Sequence, residues 1–166
     1  MRIYLVGFMG AGKSTVGRLL GSKLSATYTD LDQLIEQHAD KKISDIFKED
    51  GERAFRHLEA DALKTCHSDI IATGGGILYF NETGEWLQNA GLVVYLYAPF
   101  EELYKRIQGD SSRPVAAKPY NELKSLFENR DIAYREVSHL TVSVSDRSPY
   151  ETVSEILEQL RGMKID

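Results

Sequence analysis

Residues 7–14, Gly7-Phe8-Met9-Gly10-Ala11-Gly12-Lys13-Ser14, follow the pattern G-x-x-x-x-G-K-[ST], between the apolar run Ile3-Tyr4-Leu5-Val6 and a helical pattern over 15–24. The spacing suits phosphate chemistry. Glycines let successive backbone N–H groups close around a phosphate, a lysine bridges neighbouring phosphates as a point charge, and the hydroxyl after it offers an oxygen to Mg²⁺. A nucleoside triphosphate is therefore the first ligand expected. Gly10, Ala11, Gly12, Lys13, Ser14 and Thr15 are its contacts, and Ser14 is a metal ligand. A chance Gly-rich turn would lack the strand before it and the helix after it.

A second set of residues has types suited to an acceptor. Asp30 and Asp32 flank Leu31 just after a short run at 26–29. One carboxylate orients a hydroxyl and takes its proton, and the other serves Mg²⁺ directly or through water. The simpler role for such an acid is a helix N-cap. Arg56 and Glu59 are spaced i,i+3 on one helix face, a pattern that an ordinary surface ion pair also produces. Gly74, Gly75 and Gly76 end an apolar strand, where bare backbone lets a ligand approach N–H donors closely. Arg113, before Pro114, is placed to neutralise charge on a transferred phosphoryl group, and Arg135, after Tyr134, to fork onto a substrate carboxylate. Both arginines fit solvated surface positions equally well.

The elements that must carry these residues follow from periodicity. Short β-branched or aromatic runs at 2–6, 26–29, 69–73, 92–97 and 139–144 alternate with helix-period stretches at 13–24, 31–39, 44–66, 81–89, 100–107, 120–136 and 149–161, the third divided by Gly51. Alternation of this kind predicts an α/β three-layer sandwich: a central five-stranded parallel sheet with helices on both faces and ligands at the carboxyl ends of the strands. The segment 108–119, with Gly109, Asp110, Ser111, Ser112, Pro114 and Pro119, resists regular structure and is expected to form a mobile lid.

The composition narrows the function further. With 166 residues and 42% hydrophobic content, one domain spanning 1–166 is expected. The net charge of −5 argues against nucleic acid and anionic membrane as partners. A single cysteine, Cys66, excludes an intrachain disulfide and a thiolate zinc site. No signal-peptide pattern or spanning-length apolar stretch is present, so a cytoplasmic protein is expected.

In order along the chain, the loop, Asp30-x-Asp32, Phe55-Arg56-x-x-Glu59, the glycine triplet, Arg113-Pro114 and Tyr134-Arg135 resemble the shikimate kinases, small kinases of the P-loop, nucleoside monophosphate kinase-like fold. The resemblance implies transfer of the γ-phosphoryl of ATP to the 3-hydroxyl of shikimate, with Mg²⁺, by a monomer. It implies Lys13, Asp32 and Arg113 as catalytic residues, Asp32 being the base candidate, and Asp30 as the acid near Mg²⁺. Arg56 and Arg135 would clamp the shikimate carboxylate, Glu59 would orient Arg56, and Gly74, Gly75 and Gly76 would line the pocket. Arg106 and Pro149, joined by Arg147, would form the adenine shelf. After Arg113 the chain carries Val115, Ala116 and Ala117, where many relatives carry leucines. The rival functions are another small-metabolite kinase, such as a gluconate-type enzyme or a nucleoside monophosphate kinase, and a non-catalytic nucleotide-binding domain.

Overall fold

Each apolar run becomes a strand of one sheet in the computed structural model, which describes residues 1–108 and 114–163. The strands β1 (Ile3–Val6), β2 (Tyr28–Asp30), β3 (Ile70–Ala72), β4 (Leu92–Tyr97) and β5 (Leu140–Ser143) are all parallel, in the order β2-β3-β1-β4-β5. All four residues of β1 are buried, as are the first five of β4, because helices cover both faces of the sheet. β2 begins two residues later than its β-rich run suggests. Ala26 N–H is taken by the Gly21 carbonyl at the end of the preceding helix, and Thr27 N–H by the Asp69 carboxylate, so neither N–H is free for the ladder, and only the Thr27 carbonyl reaches β3, accepting from Ile70 N–H at 2.9 Å.

The helices are α1 (Lys13–Leu24), α2 (Leu31–Ala39), α3 (Ile43–Asp50), α4 (Glu52–Thr65), α5 (Asn81–Ala90), α6 (Phe100–Ile107), α7 (Tyr120–Val137) and α8 (Pro149–Met163). α1 packs with α8, α5 with α7, and α2, α3 and α4 form a cluster of their own next to β2. Gly51 separates α3 from α4 at φ 86°, a backbone angle that side-chain-bearing residues rarely adopt. Within the expected lid, Pro114–Ala117 form a short 3₁₀ helix, while residues 109–113, Arg113 among them, lie outside the described residues. No described helix is long and apolar enough to cross a membrane.

Register brings the chemistry to one level. Leu5 of β1 pairs with Ala72 of β3, and Ala72 pairs with Asp30 of β2. The phosphate loop, the glycine turn and the two acids therefore leave the sheet side by side, at the point where strand order switches sides of β1. Fully buried Leu5, Val6, Leu31 and Ile71 anchor these exits, each contributing about 1.5–3 kcal/mol by removal from water.

Candidate active site

The phosphate loop is shaped before any ligand arrives. Gly12 sits at φ 86° as the N-cap of α1, and a Cβ built there would meet nothing within 4 Å, so the loop surrounds an open cradle. The first turn of α1 directs N–H groups into that cradle and adds the positive end of the helix dipole. Lys13 is buried, and its ammonium donates to the carbonyls of Gly7 (2.5 Å) and Phe8 (3.1 Å). Ala11 is buried in the core, so only its backbone is available to a ligand.

The Ser14 hydroxyl donates to Asp30 Oδ2, while Asp30 Oδ1 accepts from Gln33 N–H at 3.2 Å and caps α2. Asp30 is thus both the N-cap and a member of the site. Ser14 and Asp30 present adjacent oxygens and no sulfur or nitrogen, a donor set suited to Mg²⁺ with phosphate and water completing its shell. Among the described residues no cluster of three or more His, Cys, Asp or Glu could hold a metal ion unaided.

Phosphate loop and acceptor residues share one cavity of about 500 Å³, within the range of small-molecule sites. Gly10, Gly12, Lys13, Ser14 and Thr15 line one side, and Asp32, Arg56, Glu59, Gly74, Gly75, Gly76 and Arg130 the other. Arg56 and Glu59 do not form a surface pair: their side chains are only 5% and 2% exposed, and Arg56 Nη1 donates to Glu59 Oε1 at 3.1 Å. Three atoms of this cluster are buried with no hydrogen-bond partner among the described residues: Glu59 Oε2, Asp32 Oδ1 and Arg56 Nε, the last with only a long ion pair to Glu52 at 3.7 Å. Each unmet group costs about 1–3 kcal/mol. Such costs concentrated in a single cavity are what a polar ligand relieves. Burial pushes the Glu59 carboxyl up to about 7 against the pull of Arg56, with Asp32 adding to the rise. Burial also raises Asp32, and the neighbouring Asp30 raises it further, against Lys13 and Arg56.

Arg135 is not part of this cavity, which corrects its assignment as a carboxylate clamp. It lies about half exposed on the outer side of α7, paired with Asp131 at 3.1 Å and placed over the Tyr97 ring at 4.9 Å. The cavity receives Arg130 instead, one turn earlier. Helical spacing carries the signal for this: Leu123, Phe127 and Tyr134 are the buried positions of α7, and Arg130 continues their 4-3-4 spacing, whereas Arg135 falls off that face.

Arg106 reaches the phosphate loop from α6, donating to the Gly10 carbonyl at 3.0 Å and to Glu102 at 2.8 Å. Glu102 also accepts from Ser145 Oγ at 2.7 Å, tying Arg106 to the loop before Pro149, the first residue of α8. Arg147 pairs with Glu155 and lines a separate shallow groove with Tyr150, Glu151 and Glu158. Val115 of the 3₁₀ helix reaches the main cavity.

Known proteins resemble this chain along nearly its whole length. The family model for shikimate kinase matches residues 9–161. A shikimate kinase of Persephonella marina is 42% identical over 162 residues, covering 96% of this chain and 98% of that one. The structure of shikimate kinase from Acinetobacter baumannii in complex with shikimate superposes with a TM-score of 0.94 at 36% identity, covering 99% of this chain and 95% of that one. A gluconokinase from Sinorhizobium meliloti reaches only 0.52 at 16% identity over 98% and 92% of the two chains, a likeness of fold alone. A match along nearly the whole chain, together with a cavity that joins the phosphate loop to buried arginines and carboxylates, makes this an ATP-dependent small-molecule kinase, and the chain belongs to the shikimate kinase family.

Proposed function

We propose that this protein transfers the γ-phosphoryl of ATP to the 3-hydroxyl of shikimate, giving shikimate 3-phosphate and ADP. The observation that carries the reading is the single cavity in which Lys13 and Ser14 face Asp32, Arg56, Glu59 and Arg130. Arg56 and Arg130 are two cations for one substrate carboxylate, and Glu59 holds Arg56 by the 3.1 Å bond between them. Asp32 Oδ1, buried and unpartnered, is the acceptor for the reacting hydroxyl, and its raised affinity for a proton suits a base that takes that proton late in a loose transition state.

On the donor side, the α1 N-terminus and Lys13 hold the β- and γ-phosphates in line with the hydroxyl, and that positioning contributes most of the acceleration. Bound Mg²⁺, held by Ser14 and through Asp30, would neutralise phosphate oxygens. Arg106 and Pro149 are the proposed walls for adenine, and Arg113 remains the proposed lid arginine, outside the described residues. Monomeric state and cytoplasmic location are proposed with this function.

ADP release measured with shikimate, gluconate and nucleoside monophosphates tests the reading. Turnover that depends on shikimate is expected; turnover on another acceptor, or on none, would overturn it.

A further inference from the structure

The glycine turn at 74–76 has no side chains with which to lock its own shape, yet it must hold its N–H groups at a set distance from Arg130. Two of its carbonyls are satisfied inside the turn: Gly74 accepts from Ile77 N–H at 3.2 Å and Gly76 from Tyr79 N–H at 3.0 Å. The middle carbonyl, Gly75, accepts instead from the hydroxyl of Tyr134 on α7, 59 residues away in sequence. Tyr134 is wholly buried, and its ring packs against Tyr95 with centroids 5.0 Å apart. Arg130 lies one helical turn before it and faces the same glycine: a Cβ on Gly75 would come within 3.4 Å of Arg130 Nη1 and 3.5 Å of Met9 N. Gly75 is thus held between α7 and the phosphate loop.

We infer that Tyr134 is a positioning residue of the acceptor pocket, its hydroxyl tying the Gly75 carbonyl to α7 and thereby fixing the spacing between the glycine N–H groups and the Arg130 guanidinium. The inference rests on the acceptor site proposed above. Burial pushes the Tyr134 hydroxyl up to about 12, so it remains a donor at any working pH. Tyr134 does not line the cavity and acts only through the turn and through the helix it shares with Arg130.

The test is steady-state kinetics of Tyr134→Phe, with Tyr95→Phe as the control. Tyr95→Phe also removes a hydroxyl bonded to α7, the 2.5 Å bond to Asp131, but keeps the ring that packs on Tyr134 and removes no bond to the turn. Tyr134→Phe is expected to raise KM for shikimate about fivefold, with kcat and KM for ATP within twofold of wild type, while Tyr95→Phe leaves KM for shikimate within twofold. Simple destabilisation would lower the active fraction, and hence kcat, with KM unchanged. That result, or an equal rise in KM for Tyr95→Phe, would overturn the inference. Failure of the wild-type protein to phosphorylate shikimate would instead overturn the proposed function and the inference resting on it.

Discussion

The backbone of Gly76 lies flat against the guanidinium of Arg56, so close that a Cβ at residue 76 would fall inside it. Arg56 is also hemmed by the rings of Phe47, Phe55 and Tyr79, with centroids 5.2–5.9 Å from Cζ, so it has little room to retreat. Gly76→Ala is therefore expected to displace Arg56 and lower kcat/KM for shikimate at least tenfold, leaving KM for ATP unchanged. Kinetics with each substrate varied in turn checks this, and a shikimate KM that stays at the wild-type value would show that Arg56 can move without cost.

The two arginines of α7 should separate cleanly. Arg130→Ala is expected to cost about 2–4 kcal/mol in kcat/KM for shikimate, the scale for loss of a charge-assisted contact in a cavity. Arg135→Ala, whose side chain pairs outside with Asp131, should stay within a factor of about three of wild type. The reverse ranking would return the carboxylate clamp to Arg135.

Asp32→Asn keeps the volume of the side chain and removes the proton acceptor. A fall in kcat of at least a hundredfold with little change in ATP affinity is expected. Near-normal ADP release by this variant in a coupled assay would leave Asp32 an orienting group only.

Glu59 gives the protein a pH signature. A carboxyl raised to about 7 in the fold, from near 4.5 when unfolded, binds protons more tightly in the native state. Stability is then highest below pH 4.5 as far as this group alone is concerned, and declines as pH rises from about 4.5 to 7, by on the order of 3 kcal/mol at most. Denaturant titrations should show Glu59→Gln abolishing that decline. An anion beside Arg56 weakens the pull that Arg56 exerts on Glu59 and favours the protonated form further, so shikimate affinity should weaken above pH 7 in the wild type and not in Glu59→Gln. Calorimetry across this range would expose the idea as wrong if both proteins titrated alike.

Asp30 combines two roles that can be separated. Asp30→Asn keeps an oxygen to accept from Gln33 N–H and so preserves the cap of α2, but weakens the pair that faces Mg²⁺. The expected outcome is a several-fold higher Mg²⁺ requirement for activity with the melting temperature little changed. Asp30→Ala should add a stability loss of about 1 kcal/mol. A Mg²⁺ titration indistinguishable from wild type for both variants would remove Asp30 from the metal site.

The sequence by itself determined the sheet, the phosphate loop and the ends of most helices. These follow from local rules: β-branched runs, helical periodicity, and the glycine-lysine-serine spacing that admits a triphosphate. It also named Asp30, Asp32, Arg56 and Glu59 as a group, through their order along the chain. Only the tertiary structure decided that Arg56 and Glu59 are buried together, since their i,i+3 spacing is shared by exposed pairs and it is the rings around Arg56 and the close backbone of Gly74 and Gly76 that cover them. Arg130 over Arg135 was a matter of which face α7 turns to the sheet, legible in the 4-3-4 spacing but decided by the burial of Phe127 and Tyr134. The bond from Tyr134 to Gly75 had no local signal at all, because it joins a helix and a turn that meet only when the sheet has assembled.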